Sequence, residues 1–170
     1  MYQSALSAMQ RVCSMRECCP ADIRTKLKRY KLDLAQTDML IKSLEEDGFI
    51  DTRRYAFAFV RDKSSLSGWG PAKIRWTLKS KSIEKELIEE ALAAISPEQG
   101  EERLATLLGK RLSVLKKRVA YTVGREEREV ERRDMEKLKA SLVRFALSRG
   151  FEYDKVLTQI NRLLANFAKH

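Results

Sequence analysis

One apolar spacing occurs twice in this chain, and it restricts the fold more than any other feature. Ile74-x3-Leu78-x4-Ile83-x4-Ile88-x3-Leu92 and Leu142-x3-Ala146-x4-Phe151-x4-Val156-x3-Ile160 set apolar residues at the same intervals. A step of four residues is about one helical turn; the first of the two wider steps spans a short basic corner, Ser80-Lys81-Ser82 in one copy and Ser148-Arg149-Gly150 in the other. Each copy therefore reads as two helices meeting at a tight bend. An apolar residue precedes an acid after each corner (Ile83-Glu84, Phe151-Glu152), and another follows at Ile88 or Val156, the layout of a hydrophobic staple at a helix start. A looser version, Ile23-x3-Leu27 followed by Ile41-x2-Leu44 after a longer connection, stands in the N-terminal third.

The rest of the chain reads as helical almost throughout. Alternating apolar and polar residues, the mark of a strand, are missing over any useful length. The 3 prolines and 7 glycines fall between periodic segments. Helices are expected near 3–16, 20–31, 36–47, 51–66, 71–81, 84–95, 98–119, 134–149 and 153–167. Pro20 and Pro71 suit a first helical turn, where a missing N–H costs nothing. Asp51 can cap the helix after it, and Gly48, Gly70 and Gly150 sit at breaks where positive φ is cheap for glycine. The expected fold is all-α: three tandem three-helix repeats at 1–48, 49–96 and 97–170, forming an elongated array, straight or curved. A charged connector is expected near 120–134, where the mixed-sign run Arg125 to Arg133 carries no assignable chemistry.

Charge then narrows the partner. Lys+Arg 34 against Asp+Glu 24 gives a net charge of +10, which favours an anionic partner, nucleic acid first. No apolar run approaches the roughly 18 residues of a membrane span, and the N-terminal stretch lacks the apolar segment of a cleaved leader, so a cytoplasmic protein with no membrane partner is expected. Three cysteines and one histidine, His170, make neither a disulfide framework nor a zinc site; the thiols are expected as small apolar helix residues.

Catalysis finds no foothold. Gly68-Trp69-Gly70-Pro71-Ala72-Lys73 has the wrong spacing for a phosphate loop, and Pro71 removes a backbone donor such a loop needs. The pairs Glu45/Glu46, Glu89/Glu90 and Glu126/Glu127 sit on charged helix faces, and no internal histidine is available as a general base. No catalytic residue, cofactor, metal or small-molecule substrate is expected.

A binding surface is easier to place. With Ile74 at zero on the helical wheel, Leu78 lies at about 40° and completes a core stripe. Arg75 lies at about 100°, Lys79 at about 140° and Trp76 at about 200°, pointing away from that stripe. Two roles for Trp76 stay open: packing on a neighbouring module, or serving as an aromatic flanked by cations on a docking surface. Trp69 is expected to plug the hinge between helices. Arg53, Arg61, Lys73, Arg75, Trp76 and Lys79 are the first contact candidates. A second basic cluster, Lys110-Arg111 followed by Lys116, Lys117 and Arg118, adds the last three to the list.

At Gly48-Phe49-Ile50-Asp51, Arg54-Tyr55-Ala56, Phe59-Val60, Gly70-Pro71-Ala72-Lys73-Ile74-Arg75 and Leu78-x2-Lys81-x-Ile83 the chain resembles the RecX family of recombination regulators. Arg16-Glu17, Asp22-Ile23, Lys26-Leu27 and Arg149-Gly150-Phe151 look like the flanking signatures of that family. The resemblance implies three tandem three-helix repeats. It also implies a non-enzymatic cytoplasmic protein of DNA repair and the SOS response, lying in the groove of the RecA recombinase filament. Such proteins mainly inhibit the ATPase, strand-exchange and coprotease activities of RecA, and some bind DNA. An independent basic module that competes for single- or double-stranded DNA is the alternative. Three departures stand out: Thr52 where the family often has a second acid, leaving the cap to Asp51; Ser82 where it often has glycine; and a connection between Leu27 and Ile41 that is longer than usual. Serine at that corner leads to the expectation that the turn avoids positive φ.

Overall fold

The computed structural model describes the backbone of residues 1–123 and 132–167 and the side chains of residues 1–115 and 135–165. Among these the regular structure is helical throughout. The helices are α1 (Tyr2–Met15), α2 (Pro20–Leu27), α3 (Leu34–Glu46), α4 (Thr52–Ser65), α5 (Pro71–Ser80), α6 (Lys85–Ala93), α7 (Pro97–Val123), α8 (Arg132–Ser148) and α9 (Tyr153–Phe167). In chain order they form three consecutive triplets. The charged run expected near 120–134 falls mostly outside the described residues.

Local chemistry accounts for the helix limits. Pro20 and Pro71 each open a helix. Asp51 caps α4, its Oδ1 accepting from the Arg54 N–H at 2.9 Å. Helix α3 begins two residues earlier than its apolar pattern suggests because Asp33 and Gln36 form a reciprocal capping box, at 2.7 and 3.2 Å. The segment expected as one helix over 20–31 ends at Leu27, tightens into a 3₁₀ turn over Lys28–Tyr30 and stops at left-handed Lys31. Only Cys13 of the three thiols is helical; Cys18 and Cys19 lie in the buried link before α2, where short side chains let the chain turn inward.

The repeated spacing becomes a repeated corner. After α5, the Ser82 N–H donates to Lys79 O at 3.0 Å and the Ile83 N–H to Leu78 O at 3.2 Å. After α8, the Gly150 N–H donates to Leu147 O at 2.9 Å and the Phe151 N–H to Ala146 O at 3.2 Å. Both are Schellman turns, which satisfy carbonyls that the helix end leaves open. Gly48 after α3 makes a related turn one residue longer, with the Ile50 N–H reaching Leu44 O at 3.0 Å. The turn residues take φ of +74° at Gly48, +61° at Ser82 and +86° at Gly150.

Ser82 thus overturns the expectation that this corner avoids positive φ. The buried Ile83 and the two turn hydrogen bonds hold it there against a cost of about 1–2 kcal/mol for an L-residue. Ser82→Gly is expected to stabilise the protein by about 0.5–1 kcal/mol, since glycine's greater unfolded-state freedom offsets part of the relief. The check is a melting temperature raised by about 1–3 °C.

The chain forms two compact units, Met1–Asp62 with Arg75–Ala94, and Lys63–Ile74 with the chain from Ile95 onward. Helices α4 and α5 each contribute residues to both. In the first unit Ala5, Met9, Ile23, Leu27, Leu40 and Leu44 build a core among α1, α2 and α3. In the second, Leu104, Leu108 and Leu112 of α7 meet Leu142 and Ala146 of α8 and Val156 and Ile160 of α9. Each fully buried leucine or isoleucine contributes about 1.5–3 kcal/mol.

The loop before α5 is anchored inside the second unit. The Gly70 N–H donates to Arg149 O at 2.7 Å, the Ala72 N–H to Gly150 O at 3.1 Å, and Arg149 Nη1 to Ser67 O at 2.7 Å. A Cβ on Gly70 would stand 2.4 Å from the Gly150 carbonyl. The glycines are there because two backbones touch.

Candidate docking surface and the contacts around it

Helix α5 turns Ile74 and Leu78 into the core and leaves Trp76 71% exposed. At that exposure the indole is not packed into the core of its own unit. Lys79, one turn on, is exposed and has no ion pair among the described residues. One exposed aromatic is ordinary on a protein surface, but a tryptophan beside an ammonium is the kind of residue that dominates interface energetics where a partner covers it.

The arginines expected to extend this surface are differently engaged. Arg75 forms a two-pronged bond with Glu89 of α6, Nε to Oε1 at 2.6 Å and Nη2 to Oε2 at 2.9 Å. Arg53 of α4 does the same with Glu90, Nη1 to Oε2 at 2.5 Å, and its guanidinium lies 5.0 Å from the Phe57 ring centre. The hydrogen bonds from Arg75 and Arg53 hold the Glu89 and Glu90 carboxyls below the usual carboxylate range. Adjacent carboxylates on α6 therefore clasp α4 and α5, and the sequence reading, which placed Glu89/Glu90 on a charged helix face, did not show these partners. Arg61 sits 3.0 Å from Asp62. Lys73 belongs to the other unit, where its ammonium lies 4.6 Å from the Trp69 ring centre and Lys63 lies at 5.0 Å. Trp69 is half-buried, a cation platform more than a plug. The side chains of Lys116, Lys117 and Arg118, on α7, fall outside the described residues.

Several residues of the family resemblance turn out to meet one another. Arg54 Nε donates to Glu17 Oε1 at 2.6 Å, and its Nη2 to Gly48 O at 3.2 Å. Lys81 reaches back to Asp22, where Tyr55 and Cys19 also converge. These contacts tie α4 and the α5 corner to the first helix triplet. Positions 17, 22, 54, 55 and 81 are therefore a latch inside one unit, and nothing in their linear spacing announces it.

The latch has a charge consequence. Partial burial pulls the Asp22 carboxyl up, but the hydrogen bond and charge of Lys81, helped by Cys19 and Tyr55, outweigh it and leave the group below its ordinary value. Burial, with Cys19 and Asp22 beside it, pushes the Tyr55 hydroxyl up; burial and Cys18 push the Cys13 thiol up to about 12. Because the folded Asp22 value is depressed, its stabilisation is fully present above the unfolded value near pH 4 and is lost as pH falls through the folded one. Lys81→Met is therefore expected to cost about 1–2 kcal/mol at neutral pH, with the gap to wild type closing below about pH 4. Urea titrations across pH 2–7 check it; a gap independent of pH would assign the loss to packing alone.

Fold and surface define a class: an all-α protein of helix triplets whose inward charges join helices and whose α5 presents an aromatic to solvent. Among the described residues no helix is long and apolar enough to cross a membrane. Residues 51–92 match the family model of the RecX second three-helix domain, which covers α4 to α6. The regulatory protein RecX of Shewanella oneidensis is 35% identical over 121 residues, covering 69% of this chain and 90% of that protein. That of Clostridium botulinum (strain Eklund 17B) is 32% identical over 145 residues, covering 85% of this chain; the chain spans 61% of that relative's length. A crystal structure of regulatory protein RecX superposes with a TM-score of 0.72 at 25% identity, over 95% of this chain and 73% of the other. RecX from Lactobacillus salivarius, 24% identical, shares the fold with a TM-score of 0.68, over 95% of this chain and 96% of that one. This chain belongs to the RecX family.

Proposed function

We propose that this chain is a non-enzymatic, cytoplasmic regulator that binds the RecA–DNA filament and mainly inhibits its ATPase, strand-exchange and coprotease activities. Family membership supports the regulatory role. The observation that carries the binding mode is Trp76, 71% exposed beside Lys79 in the segment the family model matches. Because Arg53 and Arg75 are bonded to carboxylates of their own chain, α5 offers the indole of Trp76 and, in Lys79, a cation with no ion pair among the described residues. That combination suits an apolar pocket with an acidic rim on a protein better than a run of phosphates. The helix triplets at 1–48, 49–96 and 97–170 act as linked modules, so that several weak contacts reinforce one another through effective concentration.

Titration of the protein into RecA ATPase at fixed, saturating DNA is the direct test. Inhibition is expected to saturate at a stoichiometry set by RecA, and retention of RecA on the immobilised protein without DNA is expected beside it. No change in ATPase at any ratio would reject the proposal. Inhibition without DNA-free retention would favour the second reading, competition for single- or double-stranded DNA, for which the net charge of +10 speaks.

A further inference from the structure

The two units treat arginine differently. In the first, the guanidiniums that reach from one element to another end on carboxylates: Arg24 on Asp38 at 2.6 Å, Arg53 on Glu90, Arg54 on Glu17 at 2.6 Å and Arg75 on Glu89 at 2.6 Å. In the second, the three that do so among the described residues end on neutral groups. Arg103 Nη1 donates to Ser64 Oγ at 2.9 Å, and Arg149 Nη1 to Ser67 O at 2.7 Å. Arg111 and Arg149 lie over the Phe145 ring, 5.1 and 5.3 Å from its centre. The Arg111 Nε is buried with no hydrogen-bond partner. Among the described residues none of these three guanidiniums meets a carboxylate.

We infer that Arg103, Arg111 and Arg149 form a site on the second unit for the phosphodiester backbone of a nucleic acid. Three held guanidiniums with no carboxylate partner among the described residues are preorganised for oxyanions, because ring stacking and neutral acceptors orient them without cancelling their charge. Arg103 and Arg111 lie on one helix and are separated by about 12 Å along it. That separation is too long for one phosphate and suits two phosphates about two nucleotides apart on one strand, adjacent phosphates being about 6–7 Å apart. Phe145 is occupied by guanidiniums, so the site has no free aromatic face for base stacking there and reads the backbone without sequence preference. The inference deepens the filament-binding proposal, giving the second unit the DNA while α5 of the first engages protein, but it does not need RecA to be tested.

The experiment is anisotropy of labelled 30-nucleotide single strands and of the matching duplex, without RecA, across a salt series. Arg103→Gln/Arg111→Gln is expected to weaken binding about tenfold and to lower the salt slope by about 1.4 for single strands or about 1.8 for duplex. Arg103→Lys/Arg111→Lys is expected to keep the slope. A slope unchanged in the glutamine variant would overturn the site, as would equal competition by inorganic phosphate at the same phosphate concentration, which would indicate a single-anion site. Should the glutamine variant unfold, phenylglyoxal modification of wild type decides: Arg103 and Arg111 are expected to be protected several-fold by oligonucleotide, and equal modification with and without it would refute the assignment. Loss of DNA binding with RecA inhibition intact would leave the filament proposal standing, whereas failure to inhibit RecA would leave this site untouched.

Discussion

Gly150→Ala is expected to cost about 3–5 kcal/mol and to leave much of the protein unfolded at 37 °C. Two independent penalties meet at this position. Its φ of +86° charges any L-residue about 1–2 kcal/mol, and an added methyl would stand 2.4 Å from the Lys73 nitrogen and 2.5 Å from the Lys73 Cβ. Relief would separate the α8–α9 corner from the start of α5 and break the Gly70 and Ala72 hydrogen bonds. Two other glycines separate the terms. Gly70 has no positive φ, yet its Cβ would lie 2.4 Å from the Gly150 carbonyl, so Gly70→Ala is expected to cost about 2–4 kcal/mol through space alone. Gly48 has positive φ and nothing within 4 Å, so Gly48→Ala is expected to cost only about 1 kcal/mol. Urea unfolding of the three variants checks the order; a Gly150→Ala loss no larger than that of Gly48→Ala would remove the backbone contact from the account.

These glycines also mark how far the sequence could be read. That Gly48, Gly70 and Gly150 break helices follows from local conformational preference, and the helix pairs follow from apolar residues returning every turn. What Gly70 touches does not follow, because Gly150 lies far along the chain and no local rule links them. Ser82 shows the opposite failure. A local preference against positive φ was legible there, and the burial of Ile83 overrode it. The charged residues were legible in number but not in employment: Arg53 and Arg75 look like surface cations on a helical wheel, and their partners on α6 make them structural. Trp76 was legible in direction, since its angle on α5 depends on that helix alone.

On this account Trp76→Ala is the substitution with the largest effect on function and one of the smallest on stability. An indole exposed to 71% has little folded-state contact to lose, so the melting temperature is expected to move by less than about 2 °C. If α5 engages the filament as proposed, truncating a central aromatic anchor removes about 2 kcal/mol of binding, and the concentration for half-inhibition of RecA ATPase is expected to rise about 30-fold. Lys79→Ala, a rim charge, is expected to raise it about threefold and to weaken the salt dependence of association. Arg75→Ala should behave differently from both, with a measurable loss of stability from the released Glu89 and a smaller loss of inhibition. The pattern across the three variants is what identifies the surface. Wild-type inhibition by folded Trp76→Ala would exclude α5 from the contact. Equal losses from all three, each in step with melting temperature, would mean that inhibition follows folding and that the aromatic has no partner of its own.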